Sequence, residues 1–308
     1  MSILDTLVLG GDLPVRRIGL GAMSLTGPGV WGEPSKPDGV RALLRRAVEL
    51  GATFVDTADS YGPEVSERLI GEALHPYAEG LVIATKAGLR RRGPGDWYAD
   101  CRPEHIRAAC EGSLRRLRVD RIDLYQLHTV DPRVPIEESL GAIVELQDEG
   151  KVRHIGVCNV DLGQLERARA VAPVVSVQNR YNLADRAHEP VLEECERAGL
   201  TFIPWAPLAK AFLARESGRL QTVAGGSGAT PAQAALAWLL HRSPVLLPIP
   251  GTASLEHLEE NLGALEVQLD AGDIAALDGY RNLGLQARRL ARRARIQVGR
   301  VKRSLRRD

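Results

Sequence analysis

Four side chains that can exchange protons follow short apolar segments of this 308-residue chain. Asp56 and Tyr61 lie in TFVDTADSYG, Lys86 ends LVIATK, and His128 ends IDLYQLH. Each segment is typical of a short buried strand, so each polar group comes at or just after a strand end. Charged groups beside core strands need a partner or a task, because burying them unpaired costs free energy. An acid, a phenol, an amine and an imidazole together predict proton transfer to or from a substrate oxygen.

Eight apolar segments alternate with eight amphipathic ones. The predicted strands begin at Val15, Thr53, Leu81, Ile122, Val152, Val174, Thr201 and Val245. The predicted helices cover 38–50, 64–74, 103–117, 136–149, 161–171, 187–198, 230–242 and 254–263. Strict alternation predicts an α/β fold with a parallel sheet, and eight units favour a (β/α)8 TIM barrel. A doubly wound open sheet is the alternative, but the polar residues come from many strands rather than one switch point.

Residues 7–15 predict a β-hairpin before the first barrel strand, with its turn at Gly10-Gly11-Asp12, which could plug the bottom of the barrel. In such barrels the chemistry lies at the C-terminal ends of the strands. Taken singly, Asp56 could be a turn residue and His128 a core histidine. Because Asp56, His128 and Lys86 are all expected at the same end of the barrel, a catalytic role is favoured over these separate structural roles. We interpret three neighbours as cap and turn residues: Asp59, Ser66 and Glu67.

Several longer motifs carry a family resemblance. They are GLGAM from Gly19, DTADSYG from Asp56, LYQLH up to His128, GKVRHIGVCN from Gly150, VQNRYN from Val177 and IPGTASLEHLEENLGA from Ile249. With them the chain resembles the aldo/keto reductase family across residues 7 to about 280. The segment GAMSLTGPGVWGEP from Gly21 is similar to a bacterial branch that contains pyridoxal reductases. The resemblance implies an NADPH-dependent oxidoreductase that reduces the carbonyl of a small, aromatic aldehyde, with pyridoxal as the candidate substrate.

The family's catalytic tetrad falls on Asp56, Tyr61, Lys86 and His128. The resemblance implies that Tyr61 donates the proton to the carbonyl oxygen. A free phenol has a pKa of about 10, and a nearby ammonium such as Lys86 lowers it. Asp56 would keep Lys86 charged and in place, and His128 would orient the carbonyl by donating a hydrogen bond.

The resemblance also implies a cofactor site. Its residues are Gly21, Met23, Asp56, Asn159, Gln178, Trp205, Pro207, Leu208, Gly251, Thr252, Ser254, His257 and Asn261. Asn159 and Gln178 would bind the nicotinamide carboxamide, and Trp205 would stack under the ring. Many relatives have a Lys or Arg near the 2′-phosphate, where this chain has Gly251, Ala253 and His257. NADPH is the expected cofactor, with NADH not excluded.

Substrate identity depends on loops. Trp31, Trp97 and Tyr98 either wall a flat apolar pocket or only pack their own loops. Residues 209–229 are either a mobile strap over the cofactor or a plain surface loop.

Four cysteines and seven histidines show no ligand or disulfide spacing, so we expect no metal and a reduced, cytoplasmic chain. No run of 18 apolar residues occurs, and the N-terminus lacks the basic region of a signal peptide. Gly19-Leu20-Gly21 resembles the start of a dinucleotide-binding motif, but Ser24 stands where its third glycine would fall. The expected partner is a small aldehyde or ketone, with no specific nucleic acid.

The distribution of charged residues along the chain divides it into a predicted barrel domain at 1–280 and a basic extension at 281–308. The extension holds 11 Lys and Arg residues and one acidic residue, within a total net charge of +1. Its apolar residues follow helical spacing, so we predict a basic helical tail that could contact anionic surfaces such as lipid or nucleic acid, or simply remain solvated. The alternative function is a nicotinamide-binding, redox-sensing regulatory subunit that acts through this tail.

Overall fold

Strands and helices alternate along most of the chain, as the sequence predicts. The computed structural model describes residues 5–209, 211–215 and 218–280. Its strands are β1 (Thr6–Leu9), β2 (Leu13–Arg16), β3 (Leu20–Gly21), β4 (Phe54–Asp56), β5 (Val82–Ala87), β6 (Leu89–Gly93), β7 (Asp96–Ala99), β8 (Ile122–Leu127), β9 (Val152–Cys158), β10 (Val174–Gln178) and β11 (Thr201–Phe202). Its α-helices are α1 (Pro37–Glu49), α2 (Val65–Leu74), α3 (Pro103–Leu117), α4 (Ile136–Asp148), α5 (Leu162–Val171), α6 (Glu189–Ala198), α7 (Arg219–Gly226), α8 (Pro231–Arg242), α9 (Leu255–Gly263) and α10 (Ala271–Asp278).

Seven strands form one parallel sheet in the order β11-β10-β9-β8-β5-β4-β3. The segment 245–250 joins its two edges. On one side Leu247 N donates to Phe202 O at 2.9 Å, and on the other Gly19 N donates to Pro248 O at 2.9 Å. The eighth predicted strand therefore takes its place between β11 and β3 and closes the ring. It does not form a continuous strand, because Pro248 and Pro250 have no N–H to donate.

All eight predicted helices are present, each with bounds within two residues of the prediction. The capping boxes of Asp161 with Gln164 and of Thr230 with Gln233 account for the clear starts of α5 and α8. Two segments expected to be loops contain regular secondary structure. Residues 89–99 form the antiparallel hairpin β6–β7, and the interval 209–229 contains α7, which buries Leu220 and Val223 against the main core.

The predicted N-terminal hairpin is β1–β2, with Leu9 paired to Leu13 across its turn. Its side chains pack into the barrel interior. The hairpin contributes Leu9, Leu13 and Val15 to a buried cluster with Phe54, Val82, Ala84, Leu124, Ile203, Leu247 and Ile249. Because side chains alternate between the two faces of a strand, the next inward positions after Phe54 and Ala84 are Asp56 and Lys86. The apolar layer therefore supports a polar layer above it.

No helix in the described ranges combines the length and the hydropathy needed to cross a bilayer. The basic tail predicted for 281–308 lies outside the described residues. The domain boundary at 280 and the cytoplasmic localisation stay predictions.

Candidate active site

The four proton-exchanging side chains meet at the C-terminal ends of β4, β5 and β8. Lys86 Nζ lies 2.6 Å from Asp56 Oδ2, 2.7 Å from the carbonyl oxygen of Thr57 and 3.4 Å from Tyr61 Oη. The ring centroids of Tyr61 and His128 are 5.8 Å apart and nearly perpendicular. All four of the tetrad residues are buried. The structure thus brings together residues that the sequence spreads over more than 70 positions.

The loop between β4 and α2 carries Tyr61, and backbone hydrogen bonds tie it to the sheet. Asp59 N donates to Lys86 O at 3.3 Å, Tyr61 N donates to Ala58 O at 3.2 Å, and Ser66 N donates to Tyr61 O at 3.1 Å. These bonds place the phenol beside the strand end that carries Lys86. The position of Tyr61 therefore depends on the loop as well as on the strands.

Asp56 is also held by two amides. Its Oδ1 accepts from Gln178 Nε2 at 2.8 Å and from Gln126 Nε2 at 3.2 Å. Gln126 is fully buried and was not among the predicted site residues. A polar residue at the inward position between Leu124 and His128 was the signal that could have revealed it.

Burial and charge set the protonation of the site. Burial is the largest single influence and lowers the pKa of the Lys86 ammonium, but the charge of Asp56, its hydrogen bond and the neighbouring Tyr61 and Cys158 together outweigh burial, so the net pKa is raised. Burial raises the pKa of Tyr61 to about 12, although Lys86 acts in the opposite direction. Burial, and then the charge of Lys86, holds the pKa of His128 well below its ordinary value. At neutral pH the site therefore contains a charged lysine, a protonated phenol and a neutral imidazole.

The residues predicted to contact a nicotinamide lie next to this cluster. Asn159 has a left-handed φ of 58°, donates through Nδ2 to the carbonyl oxygen of His128 at 3.0 Å, and accepts from Trp205 Nε1 at 3.0 Å. Gln178 directs its Nε2 toward Asp56 and toward Gln126 Oε1, at 3.3 Å from the latter. No described residue donates to Gln178 Oε1.

Most of the remaining predicted cofactor residues lie around the ends of β3 and of the segment 245–250, and Pro207 and Leu208 lie in the loop after β11. A Cβ on Gly251 would come within 3.0 Å of Gly21 O, so the two backbones approach closely there. Ser254 caps α9 by accepting from His257 N at 3.4 Å, and Thr252 Oγ1 accepts from Ser254 N at 3.0 Å. The exposure of the other members differs: Asn261 and Pro207 are buried, Leu208 is half-buried, and Met23 and His257 are exposed.

Of the predicted pocket aromatics, Trp31 lies in the loop after β3, and Trp97 and Tyr98 lie on opposite faces of the β6–β7 hairpin. Trp97 lies edge-on to Tyr61, with ring centroids 6.4 Å apart. Tyr98 follows Trp97 in the same strand and packs instead against Arg92, whose guanidinium carbon is 4.4 Å from the ring centroid. Alternation along β7 explains this separation. The structure therefore brings Trp97, and not Tyr98, together with the catalytic cluster.

Two of the three residues interpreted as caps or turn residues, Ser66 and Glu67, belong to a buried polar network instead. Glu67 accepts from Thr85 Oγ1 at 2.5 Å and from Arg116 Nε at 2.7 Å. Ser66 Oγ donates to Ala22 O at 3.3 Å. Asp59 is buried, and desolvation followed by the charge of Glu67 raises the pKa of its carboxyl well above the ordinary value. The cap interpretation was wrong for Ser66 and Glu67, because α2 presents these two side chains to the sheet, whereas Asp59 does lie in a turn between β4 and α2.

The fold and the site define a barrel enzyme equipped for proton transfer at the C-terminal ends of its strands. The model of the aldo/keto reductase family matches residues 17–282. The chain therefore belongs to the aldo/keto reductase family and is an oxidoreductase enzyme, which confirms the resemblance seen in the sequence.

Several individual proteins are similar to this chain over most of its length. The chain is 48% identical over 268 residues to an uncharacterized oxidoreductase of Schizosaccharomyces pombe, with 87% of each chain covered. It is 42% identical over 275 residues to pyridoxine 4-dehydrogenase of Escherichia coli, covering 87% of this chain and 96% of that protein. The structure of a glycerol dehydrogenase from Gluconobacter oxydans matches with a TM-score of 0.82 and 27% identity, over 90% of this chain and 95% of that one. An aldo-keto reductase from Klebsiella pneumoniae, solved with NADPH, matches with a TM-score of 0.77 and 30% identity, over 90% and 95% of the two chains.

Proposed function

We propose that this enzyme reduces the carbonyl group of a small aromatic aldehyde to an alcohol, with NADPH as the hydride source and pyridoxal as the leading candidate substrate. One observation carries the proposal. The Tyr61 hydroxyl lies 3.4 Å from Lys86 Nζ, and the Tyr61 ring packs nearly perpendicular to the His128 ring. A phenol, an ammonium and an imidazole in this arrangement can protonate and orient the same oxygen atom.

Tyr61 is the proton donor in this proposal. Its pKa of about 12 keeps the hydroxyl protonated, and the Lys86 charge stabilises the phenolate that forms when the proton leaves. Asp56 keeps Lys86 charged, and the Gln126 and Gln178 amides keep Asp56 in place. A bound nicotinamide would supply the hydride. The chain's own residues would supply the proton and the orientation.

His128 would orient the carbonyl as a neutral donor. Its Nδ1 lies 3.4 Å from Ser60 Oγ. If the Ser60 hydroxyl donates to Nδ1, the ring proton is on Nε2, from which it can be donated to the substrate oxygen. The low pKa of His128 agrees with this role, since the imidazole does not need a second proton. Preorganised donors of this kind contribute on the order of 3–4 kcal/mol to the stability of a transition state.

The residues present fit a nicotinamide dinucleotide. Trp205 offers an indole face next to Asn159, and the loop that follows it contains three alanines with left-handed backbone: φ is 52° at Ala206, 50° at Ala209 and 64° at Ala211. Such conformations are costly for residues with a side chain and cluster at binding sites. They support a pyrophosphate loop that begins at Pro207. The relatives solved with NADPH support the same cofactor.

The choice of NADPH over NADH depends on the region 251–261. No Lys or Arg occurs in it. The hydroxyls of Thr252 and Ser254, with the N-terminal N–H groups of α9, would bind the 2′-phosphate in their place. The ratio of kcat/KM for NADPH to that for NADH, at fixed salt, tests this assignment. We expect NADPH to be preferred and Ser254→Ala to reduce the ratio; a ratio below one would overturn the NADPH assignment.

Pyridoxal is proposed as the substrate on two grounds. The pyridoxine 4-dehydrogenase of Escherichia coli is 42% identical to this chain, and Trp97 presents an aromatic edge beside Tyr61. A panel of aldehydes, with pyridoxal first, tests the activity through the loss of NADPH absorbance. We expect pyridoxal to show the highest kcat/KM. No turnover across the panel despite tight NADPH binding would reject the reductase and favour the regulatory alternative.

A further inference from the structure

Arg91, in strand β6, is an inward-facing arginine that the mechanism does not use. Its side chain is 9% exposed, whereas the next residue, Arg92, is exposed. Its guanidinium hydrogen bonds, within the part of the chain that the structure describes, all go to backbone carbonyl groups. A buried cation that forms no direct ion pair among the described residues is costly, so its position next to a candidate active site needs a reason.

The guanidinium group joins three separate loops. Nη1 donates to Val30 O at 2.6 Å and to Ser60 O at 3.4 Å, while Nη2 donates to Gly29 O at 2.7 Å and to Gly93 O at 3.2 Å. Gly29 and Val30 belong to the loop after β3, Ser60 precedes the catalytic Tyr61, and Gly93 ends β6. One side chain therefore fixes these loops relative to one another.

Two indole rings flank the same guanidinium. Its central carbon lies 3.7 Å from the ring centroid of Trp97 and 5.7 Å from that of Trp31. A guanidinium held over an aromatic ring is attracted by the π electrons, most strongly where water is excluded. Trp97 in turn packs nearly perpendicular to the Tyr61 ring, with the ring centroids 6.4 Å apart. Arg91, Trp97 and Tyr61 thus form a continuous packed series that ends at the proton donor.

The backbone at Val30 supplies an independent sign that Arg91 orders this region. Val30 has a φ of 57°, in the left-handed region that β-branched residues strongly avoid. Such a conformation persists only where the surroundings hold it. The shortest hydrogen bond from Arg91 is the one to Val30 O, and the next residue is Trp31. Arg91 therefore holds the strained turn from which the Trp31 side chain extends.

We infer that Arg91 is a positioning residue that holds Trp31 and Trp97 as one wall of the substrate pocket and so makes the enzyme select flat aromatic aldehydes over aliphatic ones. The inference rests on the proposed carbonyl reductase function. Since Nη1 and Nη2 already bind four carbonyl oxygens, Arg91 acts through the two indoles and not by binding substrate itself. Because backbone hydrogen bonds also hold the Tyr61 loop to the sheet and to α2, loss of Arg91 would leave Tyr61, Lys86 and His128 in place but release the wall.

The test compares Arg91→Met and Arg91→Lys with the matched control Arg92→Met. Arg92 also packs on an aromatic ring, that of Tyr98, but on the opposite face of the hairpin. Steady-state kinetics use benzaldehyde and butanal at saturating NADPH. For Arg91→Met we expect KM for benzaldehyde to rise about tenfold or more, while kcat and KM for butanal change by less than about threefold. Arg92→Met should match the wild type with both aldehydes.

Arg91→Lys keeps a positive charge but cannot span four carbonyl groups, so we expect the same selective rise in KM. It also serves as the test variant if Arg91→Met does not fold. Equal losses with benzaldehyde and butanal would show that Arg91 only stabilises the fold and would overturn the inference. Wild-type kinetics for both variants would overturn it as well.

A binding measurement separates this inference from the proposed function. Titration of the NADPH complex with benzyl alcohol, followed by tryptophan fluorescence, needs no turnover. We expect Arg91→Met to weaken this binding about tenfold with NADPH affinity unchanged. If the wild type turned over neither aldehyde, the proposed function would fail, and the fluorescence titration would still decide whether Arg91 orders the aromatic wall: equal affinities for wild type and variant would reject it.

Discussion

Lys86 and Asp56 form an ion pair inside the barrel, with Nζ and Oδ2 2.6 Å apart and both side chains withdrawn from solvent. The same ammonium lies 3.4 Å from Tyr61 Oη. The pair therefore has two effects that can be separated. It satisfies two buried charges, and it sets the electrostatic environment of the phenol.

Lys86→Met separates these effects. The substitution leaves the Asp56 carboxylate buried without its countercharge, so we expect a loss of about 3–5 kcal/mol in the free energy of unfolding. The double variant Asp56→Leu/Lys86→Met should recover much of that loss without recovering turnover. Urea unfolding and kcat measured on the same preparations check both points. Recovery of turnover in the double variant would contradict the role of Lys86 in tuning Tyr61.

Tyr61→Phe removes the hydroxyl that we propose as the proton donor and keeps the ring. We expect turnover to fall by at least about 100-fold, because general acid catalysis typically contributes that much. The dissociation constant for NADPH should stay within about twofold of the wild type, since the hydroxyl has no assigned contact with the cofactor. Tyr125→Phe is the matched control: its hydroxyl is also buried but donates to Ile106 O on the outer side of the sheet. Near-normal turnover in Tyr61→Phe would show that another group supplies the proton.

Gln126→Leu tests the amide support of Asp56. The variant keeps a similar volume but removes one of the two donors to Asp56 Oδ1, which leaves Gln178 alone. A buried hydrogen bond to a charged group is worth about 1.5–3 kcal/mol, so we expect roughly a tenfold or larger drop in kcat. Gln147→Leu, which removes an amide that binds Arg153 O on the outside of the barrel, should leave kcat unchanged. Equal kcat values for the two variants would remove Gln126 from the site.

The neutral state of His128 predicts a pH dependence of stability. The folded-state pKa is depressed, so below the ordinary value of about 6.5 the unfolded chain binds a proton that the folded chain does not. The free energy of unfolding should therefore fall as the pH decreases from 6.5, with a contribution from His128 of up to about 1.4 kcal/mol per pH unit. His128→Gln should flatten the curve between about pH 6.5 and 5. The exposed His241, changed to Gln, serves as the control; an unchanged slope in His128→Gln would contradict the assignment.

The hairpin plug can be tested with two adjacent residues of β1. Leu9 is fully buried in the barrel interior, whereas Val8 is 55% exposed. Leu9→Ala should reduce the free energy of unfolding by about 2–5 kcal/mol, because it opens a cavity beneath the polar layer. Val8→Ala should change it by no more than about 0.5 kcal/mol. If thermal unfolding showed similar losses of stability for Leu9→Ala and Val8→Ala, the hairpin would not stabilise the barrel through Leu9.

Much of the site could be predicted because its residues follow the period of the strands. Asp56 and Lys86 stand two positions after the apolar, inward-facing Phe54 and Ala84, and the same rule applied to β8 would have revealed Gln126. Arg91 offered no such signal. Its proposed role depends on the β6–β7 hairpin, which folds back beside the loop after β3 and the loop after β4. No local sequence pattern specifies that these three segments come together.

The sequence by itself determined the alternation of strands and helices, the family, and the strand ends at which the catalytic groups stand, since these follow from local periodicity and motif. Only the tertiary structure decided that Gln126 and Gln178 bind the same carboxylate oxygen, that Trp97 faces Tyr61 while Tyr98 faces away, and that burial outweighs the effect of Lys86 on the phenol. Such contacts depend on strand register, loop geometry and desolvation, which exist only once segments distant in the chain have packed together.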